Sequence, residues 1–356
     1  MGYFRPRSSV GLDLGSHALK VAEVVRSGDT VRVERVGMVL TPPGAVSKGV
    51  AADTNALVPA IHALFREAGI RAKRIVTALG AEAVVIREVT VPVMPEAELA
   101  QAVSFEAERY LPASTREARC DYRVLGQTPD DKQLELLLVA TGKELIDRHL
   151  APLAMAGLTS EVMEATPLSM VRGVARGNGQ NGHVTMYVDL GAESSVILIV
   201  DGERVPLART IAIGGNAVTK AIAEALHIDG PAAETLKEQR AQLTVDGERP
   251  GEETVDALHQ AMVPAVTRLA SELRRSVEYY LARVRGEAIS HVVLTGGGAK
   301  LGNLGPFLSA AVGLPVEIGN PFALCDVGAG VPPAYRKDQA PMMAVAIGLA
   351  MRGTRA

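Results

Sequence analysis

Val10-Gly11-Leu12-Asp13-Leu14-Gly15-Ser16 returns in kind half of the 356-residue chain later, as Val184-Thr185-Met186-Tyr187-Val188-Asp189-Leu190-Gly191-Ala192. Each is an apolar run that ends in Asp-Leu-Gly. The segments after the two copies are also alike. After the first copy, Ala18–Val25, the turn Ser27-Gly28-Asp29 and Val31–Met38 read as two more strands around a turn. After the second, Ser195–Val200, the turn Asp201-Gly202 and Arg204–Arg209 read the same way. One Asp-Leu-Gly is an ordinary hairpin turn. The same three-strand meander around both copies predicts two halves of like fold that face each other. It does not read as a Rossmann start.

The repeat carries a chemistry. A glycine after the aspartate lets the chain turn sharply and lets a phosphate approach main-chain N–H groups. The aspartate at the mouth of the turn suits Mg²⁺ held through waters. Two such hairpins from opposite directions make a clamp: Asp13, Gly15 and Ser16 on one side, Asp189, Gly191 and Ala192 on the other. Lys20, on the strand after the first turn, can point back at the phosphates. Thr295-Gly296-Gly297-Gly298-Ala299-Lys300 follows the apolar strand Ser290–Leu294 and precedes a helix expected over Leu304–Val312. Its glycines permit close backbone contact with a flat or charged ligand, and a helix N-terminus adds partial positive charge. This loop is neither a GxGxxG nor a Walker A pattern, so it gives no support to those nucleotide folds. Gly214, Gly215 and Asn216 open another predicted helix, and Glu234 and Lys237 stand at i and i+3 on the next, where the plain reading is a surface ion pair.

Between the two repeats the spacing predicts a helix over Thr54–Ala68 closed by Gly69, strands at Ala83–Val91 and Leu134–Ala140, and helices over Glu96–Leu111 and Lys143–Ala156. Glu164–Ala175 reads as a helix with Pro167 in its first turn. Gly177-Asn178-Gly179-Gln180-Asn181-Gly182 reads as a linker. In the second half, Asn216–Leu226 and Ala232–Gln242 read as helices and Val245–Thr254 as an acidic loop. Val255–Arg285 reads as one long helix, or one broken near Pro264.

Composition bounds the function. Net charge is −3, apolar residues are 47% and charged residues 22%, as in ordinary globular chains, which gives no support to bulk nucleic-acid binding. Cys120 and Cys325 sit in no CxxC or Cys/His cluster and are expected as free thiols in a reducing compartment. No apolar run is long enough to span a bilayer, and the first residues lack a signal-peptide core, so no direct membrane insertion is expected.

Taken in order, these pieces resemble the actin, sugar-kinase and DnaK-type chaperone superfamily. The first phosphate loop is Asp13–Ser16, a connecting helix lies near Glu164–Met170, and the second phosphate loop is Asp189–Ala192. An adenosine loop at Gly296–Ala299 and a second connecting helix at Pro341–Met351 come after them. The resemblance implies an α/β, actin-like (ribonuclease H-like) duplicated fold that binds ATP or ADP with Mg²⁺, and it places Glu234 and Lys237 where relatives contact ribose and base.

Within that superfamily the chain is similar to the PilM family of type IV pilus assembly. The similarity rests on Ser104-Phe105-Glu106-Ala107-Glu108-Arg109-Tyr110-Leu111-Pro112, on Thr210-Ile211-Ala212-Ile213-Gly214-Gly215-Asn216, and on Glu278-Tyr279-Tyr280. Gly313-Leu314-Pro315-Val316-Glu317 and Asn320-Pro321-Phe322 complete it. It implies a first half at 1–83 and 154–176, a 1C-type insertion subdomain at 84–153, a second half at 177–214 and 289–356, and a 2B subdomain at 215–288. FtsA, which shares the 1C subdomain, fits less well, because its C-terminal membrane-binding helix has no counterpart here. The family likeness also implies a cytoplasmic scaffold, recruited to the inner face of the inner membrane with other pilus assembly platform components. There it captures the cytoplasmic tail of a PilN-like protein in a groove by the insertion, with Val84–Val91 and Glu96–Tyr110 as candidate walls.

Hydrolysis needs a group that orients water. The acidic position of active relatives falls on Glu164 or on Thr166, and in the second case turnover is feeble. The alternatives are an active ATPase or small-molecule kinase of the same superfamily, or a filament-forming bacterial actin. A chaperone is disfavoured, because the chain stops after the second connecting helix.

Overall fold

In the computed structural model, residues 7–175, 183–245, 253–283 and 287–354 are described. The linker read at Gly177–Gly182, most of the acidic loop and the first six residues lie outside them.

The first repeat folds as predicted. Strands β1 (Arg7–Leu14), β2 (Ala18–Ser27) and β3 (Thr30–Leu40) form an antiparallel meander. The short hairpin β4 (Val46–Ser47) and β5 (Val50–Ala51) leads to helix α1 (Thr54–Glu67). Asp53 caps α1 by accepting from the Ala56 N–H at 3.0 Å, and Leu57, Ile61, Leu64 and Phe65 bury one helical face. Gly69, at φ +65°, turns the chain out of it. Strand β6 (Arg74–Leu79) then lies parallel to β1.

An insertion comes next: β7 (Val85–Pro92), α2 (Glu96–Glu108), β8 (Ala118–Gln127) and β9 (Gln133–Gly142), with strand order β7-β9-β8. Side chains alternate across this sheet. Val89, Val91, Leu136 and Leu138 pack under α2, in one cluster with Leu99, Val103 and Ala107. Ile86 and Leu137 point the other way, into the cluster that holds Val196, Leu198 and Val205 of the second half. Helix α3 (Lys143–Met155) returns the chain to β10 (Thr159–Ala165), parallel to β6, and leads on to α4 (Thr166–Val174).

The second repeat is β11 (Val184–Leu190), β12 (Ser195–Asp201) and β13 (Arg204–Ile211). Helices α5 (Gly215–Leu226), α6 (Gly230–Arg240) and α7 (Glu253–Arg283) come next, the last passing Pro264 without a break. Strand β14 (Ile289–Thr295) pairs in parallel with β11, and α8 (Leu304–Val312) crosses over to β15 (Val316–Ile318). The chain then returns to the first half through β16 (Asp326–Val327), α9 (Pro333–Lys337) and α10 (Ala344–Gly353).

The sheets repeat over five strands, with β16 an addition to the first. The first runs β10-β6-β1-β2-β3-β16 and the second β15-β14-β11-β12-β13. In each, the middle strand ends in Asp-Leu-Gly. Parallel neighbours need a crossover; α8 suffices in the second half, while the first half builds its insertion into the equivalent connection. Helices α4 and α10 cross between the halves at backbone contact. A Cβ added at Gly348 would lie 1.9 Å from the Ser169 carbonyl oxygen, and one at Gly173 2.1 Å from that of Ala344.

One expectation is corrected, one strand was not foreseen, and one open alternative is decided. Glu164–Ala175 is not one helix: Glu164 and Ala165 finish β10, and α4 starts at Thr166, where Pro167 suits the first turn. Strand β8 has no counterpart among the predicted elements. Its residues, Ala-Arg-Cys-Asp-Tyr-Arg-Val-Leu-Gly-Gln, are exposed or half-buried throughout, so no apolar face marks it. The long helix does not break at Pro264, because the buried face that includes Leu258, Met262, Val266, Leu269 and Leu273 continues past it.

Candidate functional site

The loops that close the two hairpins have the same length. Leu14 pairs with Leu19 across residues 15–18, and Leu190 pairs with Ser195 across residues 191–194. Both glycines are required by close contact. A Cβ on Gly15 would sit 2.7 Å from the Ala18 carbonyl oxygen, and one on Gly191 2.8 Å from that of Ser194. The loops face one another across a cleft of about 270 Å³. All the predicted site residues line this cleft except Gly214 and Glu164.

The floor carries the charge. Asp13 and Lys20 are cross-strand partners, and Lys20 Nζ lies 2.9 Å from Asp13 Oδ2. Lys20 also donates to the Ala18 carbonyl at 3.3 Å. In the second half, Val196 occupies the register position of Lys20, so a single lysine serves both loops. Asp189 accepts from Thr295 Oγ1 at 3.0 Å. Burial raises its carboxyl above the usual range, Lys20 and the Thr295 hydrogen bond pull it down, and Asp13 pushes it up. A half-buried carboxylate whose charge is only partly balanced suits a further cation, and the two hard oxygen donors Asp13 and Asp189 suit Mg²⁺.

Gly214 works from behind the cleft. A Cβ there would meet the Ala192 carbonyl oxygen at 2.5 Å, so the entry to α5 rests directly on the second loop. The N–H groups of Gly215 and Asn216 donate to the Gly191 and Ala192 carbonyls, both at 2.9 Å. Opposite, Gly296 has φ +82°, and a Cβ on it would meet the Leu190 carbonyl oxygen at 2.5 Å. Gly297 differs: a Cβ on it would find only Met342 Cε, at 3.8 Å, so its open face looks into the cleft. Gly298 packs on Leu190, and Lys300 is exposed at the rim.

Glu234 and Lys237 form an ion pair at 2.7 Å, with Lys237 also donating to Thr219 Oγ1 at 2.8 Å. Burial alone would raise the Glu234 carboxyl; hydrogen bonds from Lys237 and Thr219 outweigh it and hold the group below its ordinary value. The pair is half-buried inside the cleft and is not the solvated surface pair of the plain reading.

Glu164 stands elsewhere. It accepts from Arg172 Nη1 at 2.7 Å and Nη2 at 2.5 Å, and from Ser169 Oγ at 2.5 Å, with Arg352 Nε at 3.5 Å. Its carboxylate ties β10 and α4 to α10. Thr166 is the residue of this stretch that lines the cleft.

Sequence reasoning missed His17, Ser194, Glu238 and Met342, which also line the cleft. Membership of the two hairpin loops was the available signal for His17 and Ser194, since they lie within residues 15–18 and 191–194. Glu238 and Met342 carry no local signal. His17, Glu234 and Glu238 present ligand atoms within 4.8 Å of one another. Both Glu234 oxygens are already taken by Lys237 and Thr219.

Two like halves, hinged by crossed helices and closing matched Asp-x-Gly loops on one cleft, define an actin-like protein of the ATPase fold. The profile of the family described as type IV pilus assembly protein PilM matches residues 11–354. The chain therefore belongs to the PilM family. It is similar to the chain solved in a PilM-PilN type IV pilus biogenesis complex, at 30% identity over 98% of this chain and 99% of that one, with a TM-score of 0.85. More distantly, the fold is shared with the ethanolamine utilization protein EutJ from Carboxydothermus hydrogenoformans (15% identity, 98% and 91% covered, TM-score 0.57). It is shared also with MreB 5 of Spiroplasma citri bound to AMPPNP (14% identity, 96% and 94% covered, TM-score 0.53). Among the described residues no helix is long and apolar enough to cross a membrane.

Proposed function

We propose that the protein is a nucleotide-binding scaffold of type IV pilus assembly that holds ATP or ADP in the cleft and captures the cytoplasmic tail of a PilN-like protein beside the insertion. The observation that carries the nucleotide half is the pair of equal-length glycine loops closing on one cleft floor with Asp13, Lys20 and Asp189. Phosphates fit between Gly15 and Gly191, where main-chain N–H groups and Lys20 meet. Mg²⁺, held through waters, offsets the charge of Asp13 and Asp189. The base fits against the open face of Gly297, and Glu234 and Lys237 lie where ribose and base pass. Bound nucleotide acts by favouring the closed clamp.

Turnover is feeble in this reading. Glu164 is consumed by Arg172 and Ser169, and Thr166, which takes its place at the cleft, is a poor base for orienting water.

For the tail, the support is the known partner of the similar chain and a second cavity, about 180 Å³, between the insertion and the second half. Val84, Ile86, Pro167, Leu198 and Ala208 line it. β7 is an edge strand, and an extended peptide gains main-chain hydrogen bonds along such an edge while alternate side chains enter the crevice. Helix α2, expected from sequence as the second wall, covers the other face of the sheet and takes no part.

Calorimetry with ATP tests the first half. Asp13→Ala and Gly297→Arg are expected to fold, by circular dichroism, and to bind ATP at least about 30-fold more weakly, roughly 2 kcal/mol. Unchanged affinity in both sinks the site. For the second half, anisotropy of a labelled synthetic tail peptide is expected to show binding that Ala208→Phe weakens at least about tenfold. Equal binding moves the tail elsewhere.

A further inference from the structure

His17 belongs to the loop between β1 and β2, while Glu234 and Glu238 belong to α6 of the second half. All three line the same cleft, and their ligand atoms lie within 4.8 Å of one another. The juxtaposition is prepared from both sides. Glu234 and Glu238 stand at i and i+4 on one helix, so both carboxylates leave the same face. The His17 backbone is pinned just past the end of β3. Its carbonyl accepts the Thr41 N–H at 2.9 Å, and Thr41 Oγ1 donates to the Gly15 carbonyl at 2.7 Å.

The set is short of partners. Among the described residues, the His17 ring and the Glu238 carboxylate make no hydrogen bond or ion pair, and Glu234 Oε1 accepts from Lys237 alone, at 2.8 Å. Glu234 Oε2 is the oxygen shared by Lys237 and Thr219. A carboxylate oxygen has two acceptor sites, so Oε1 can keep Lys237 and still reach an ion. Lys237 balances one of the two carboxylates and leaves the other's charge over. One imidazole nitrogen beside two carboxylate oxygens favours Zn²⁺, Co²⁺ or Mn²⁺ over Mg²⁺, which keeps to oxygen. A tetrahedral site with bonds of about 2.1 Å spaces its ligands about 3.4 Å apart, and rotation of two glutamate side chains covers the remaining difference of about 1.4 Å.

We infer that His17, Glu234 and Glu238 form a site for one divalent transition-metal ion, held by both halves across the cleft. The ion ties the β1–β2 loop to α6, and water fills its open positions. The site needs no nucleotide and shares no ligand with the Mg²⁺ position proposed at Asp13 and Asp189.

The test is a Co²⁺ titration of the tag-free full chain, without nucleotide and in excess Mg²⁺, followed by visible absorption. Mg²⁺ occupies all-oxygen sites and leaves one that offers imidazole. The wild type is expected to bind one Co²⁺ per chain, with a visible band that added Zn²⁺ removes. Glu238→Gln and His17→Ala, one from each half, are each expected to weaken Co²⁺ binding at least about tenfold. Glu238 is exposed, so its variant keeps the fold, and circular dichroism checks the other. No saturable band in the wild type overturns the proposal, and so does wild-type affinity in both variants. Loss in one variant alone overturns it too, because the ion then does not span the cleft. A chain that fails to bind ATP leaves this titration unchanged, so the nucleotide reading and the metal site fall separately.

Discussion

At the scale of single residues, burial decides what a side chain can do, and His149 shows it. It lies on α3 behind Asp13, fully buried, with Nε2 3.4 Å from Thr77 Oγ1. Thr77 already donates to the Leu12 carbonyl at 2.9 Å. His149 Nε2 must then be the donor, which leaves Nδ1 as an acceptor with no partner among the described residues. Burial pushes the imidazole down to about 4, against the pull of the Asp13 charge. Between pH 6.5 and 4 the unfolded chain takes up this proton and the folded chain does not, so stability falls as pH falls. The full loss by pH 4 is about 3 kcal/mol. Urea midpoints from pH 7 to pH 4 are expected to drop steeply in the wild type and more shallowly in His149→Gln, which keeps the donor to Thr77. Parallel curves would show that another group governs acid stability.

The same scale shows what sequence can reveal. Asp13, Gly15, Asp189 and Gly191 were legible because their work is local: a backbone turn too tight for a Cβ and a carboxylate fixed beside it. Glu238, Met342 and His149 were not, because each acquires its position from a distant segment. Glu234 and Lys237 show the boundary between the two cases. Their spacing predicts an ion pair, which is present, but that the pair faces a cleft depends on how α6 is set against the two glycine loops.

Among the elements, the junction of β10 and α4 departs from the predicted helix in a way that bears on chemistry. Periodicity alone extends the helix back to Glu164. In the fold, that residue completes the parallel pairing with β6, opposite Ala78, and its carboxylate is the anchor for Arg172. Glu164→Gln is expected to leave any residual ATP turnover within about twofold of wild type while lowering stability by about 2 kcal/mol, because Arg172 is left without its charge partner. Thermal melts and a phosphate-release assay check the two halves. Lost turnover at unchanged stability would return Glu164 to a catalytic role.

The segment that carried the family resemblance works at this scale too. Glu106 accepts from the Tyr110 hydroxyl at 2.9 Å and from Arg109 at 2.8 Å. The Arg87 guanidinium stacks 5.1 Å from the Tyr110 ring centre. These contacts lock the end of α2 to β7, so the motif builds the insertion.

For the whole molecule, the duplicated sheet order was legible from the two Asp-Leu-Gly copies, whereas the joint between halves was not. Ser169, Gly173, Ala344 and Gly348 look like ordinary small residues until α4 and α10 are crossed. Gly348→Val then forces a side chain into the Ser169 carbonyl, and a loss of about 3 kcal/mol is expected in denaturant titration. A neutral result would mean that the helices can separate freely.

That crossing has no clearance, so backbone blocks any sliding of one half past the other, and the contact acts as a fixed axis between them. The two glycine loops sit beside this axis, since Thr166 at the start of α4 and Val345 at the start of α10 line the same cleft. The insertion touches the same axis, since Ile86 and Leu137 share a buried cluster with Met170 of α4 and Val345 of α10. One joint therefore sets both the spacing of the two glycine loops and the seat of the insertion, so a turn there is felt at both together.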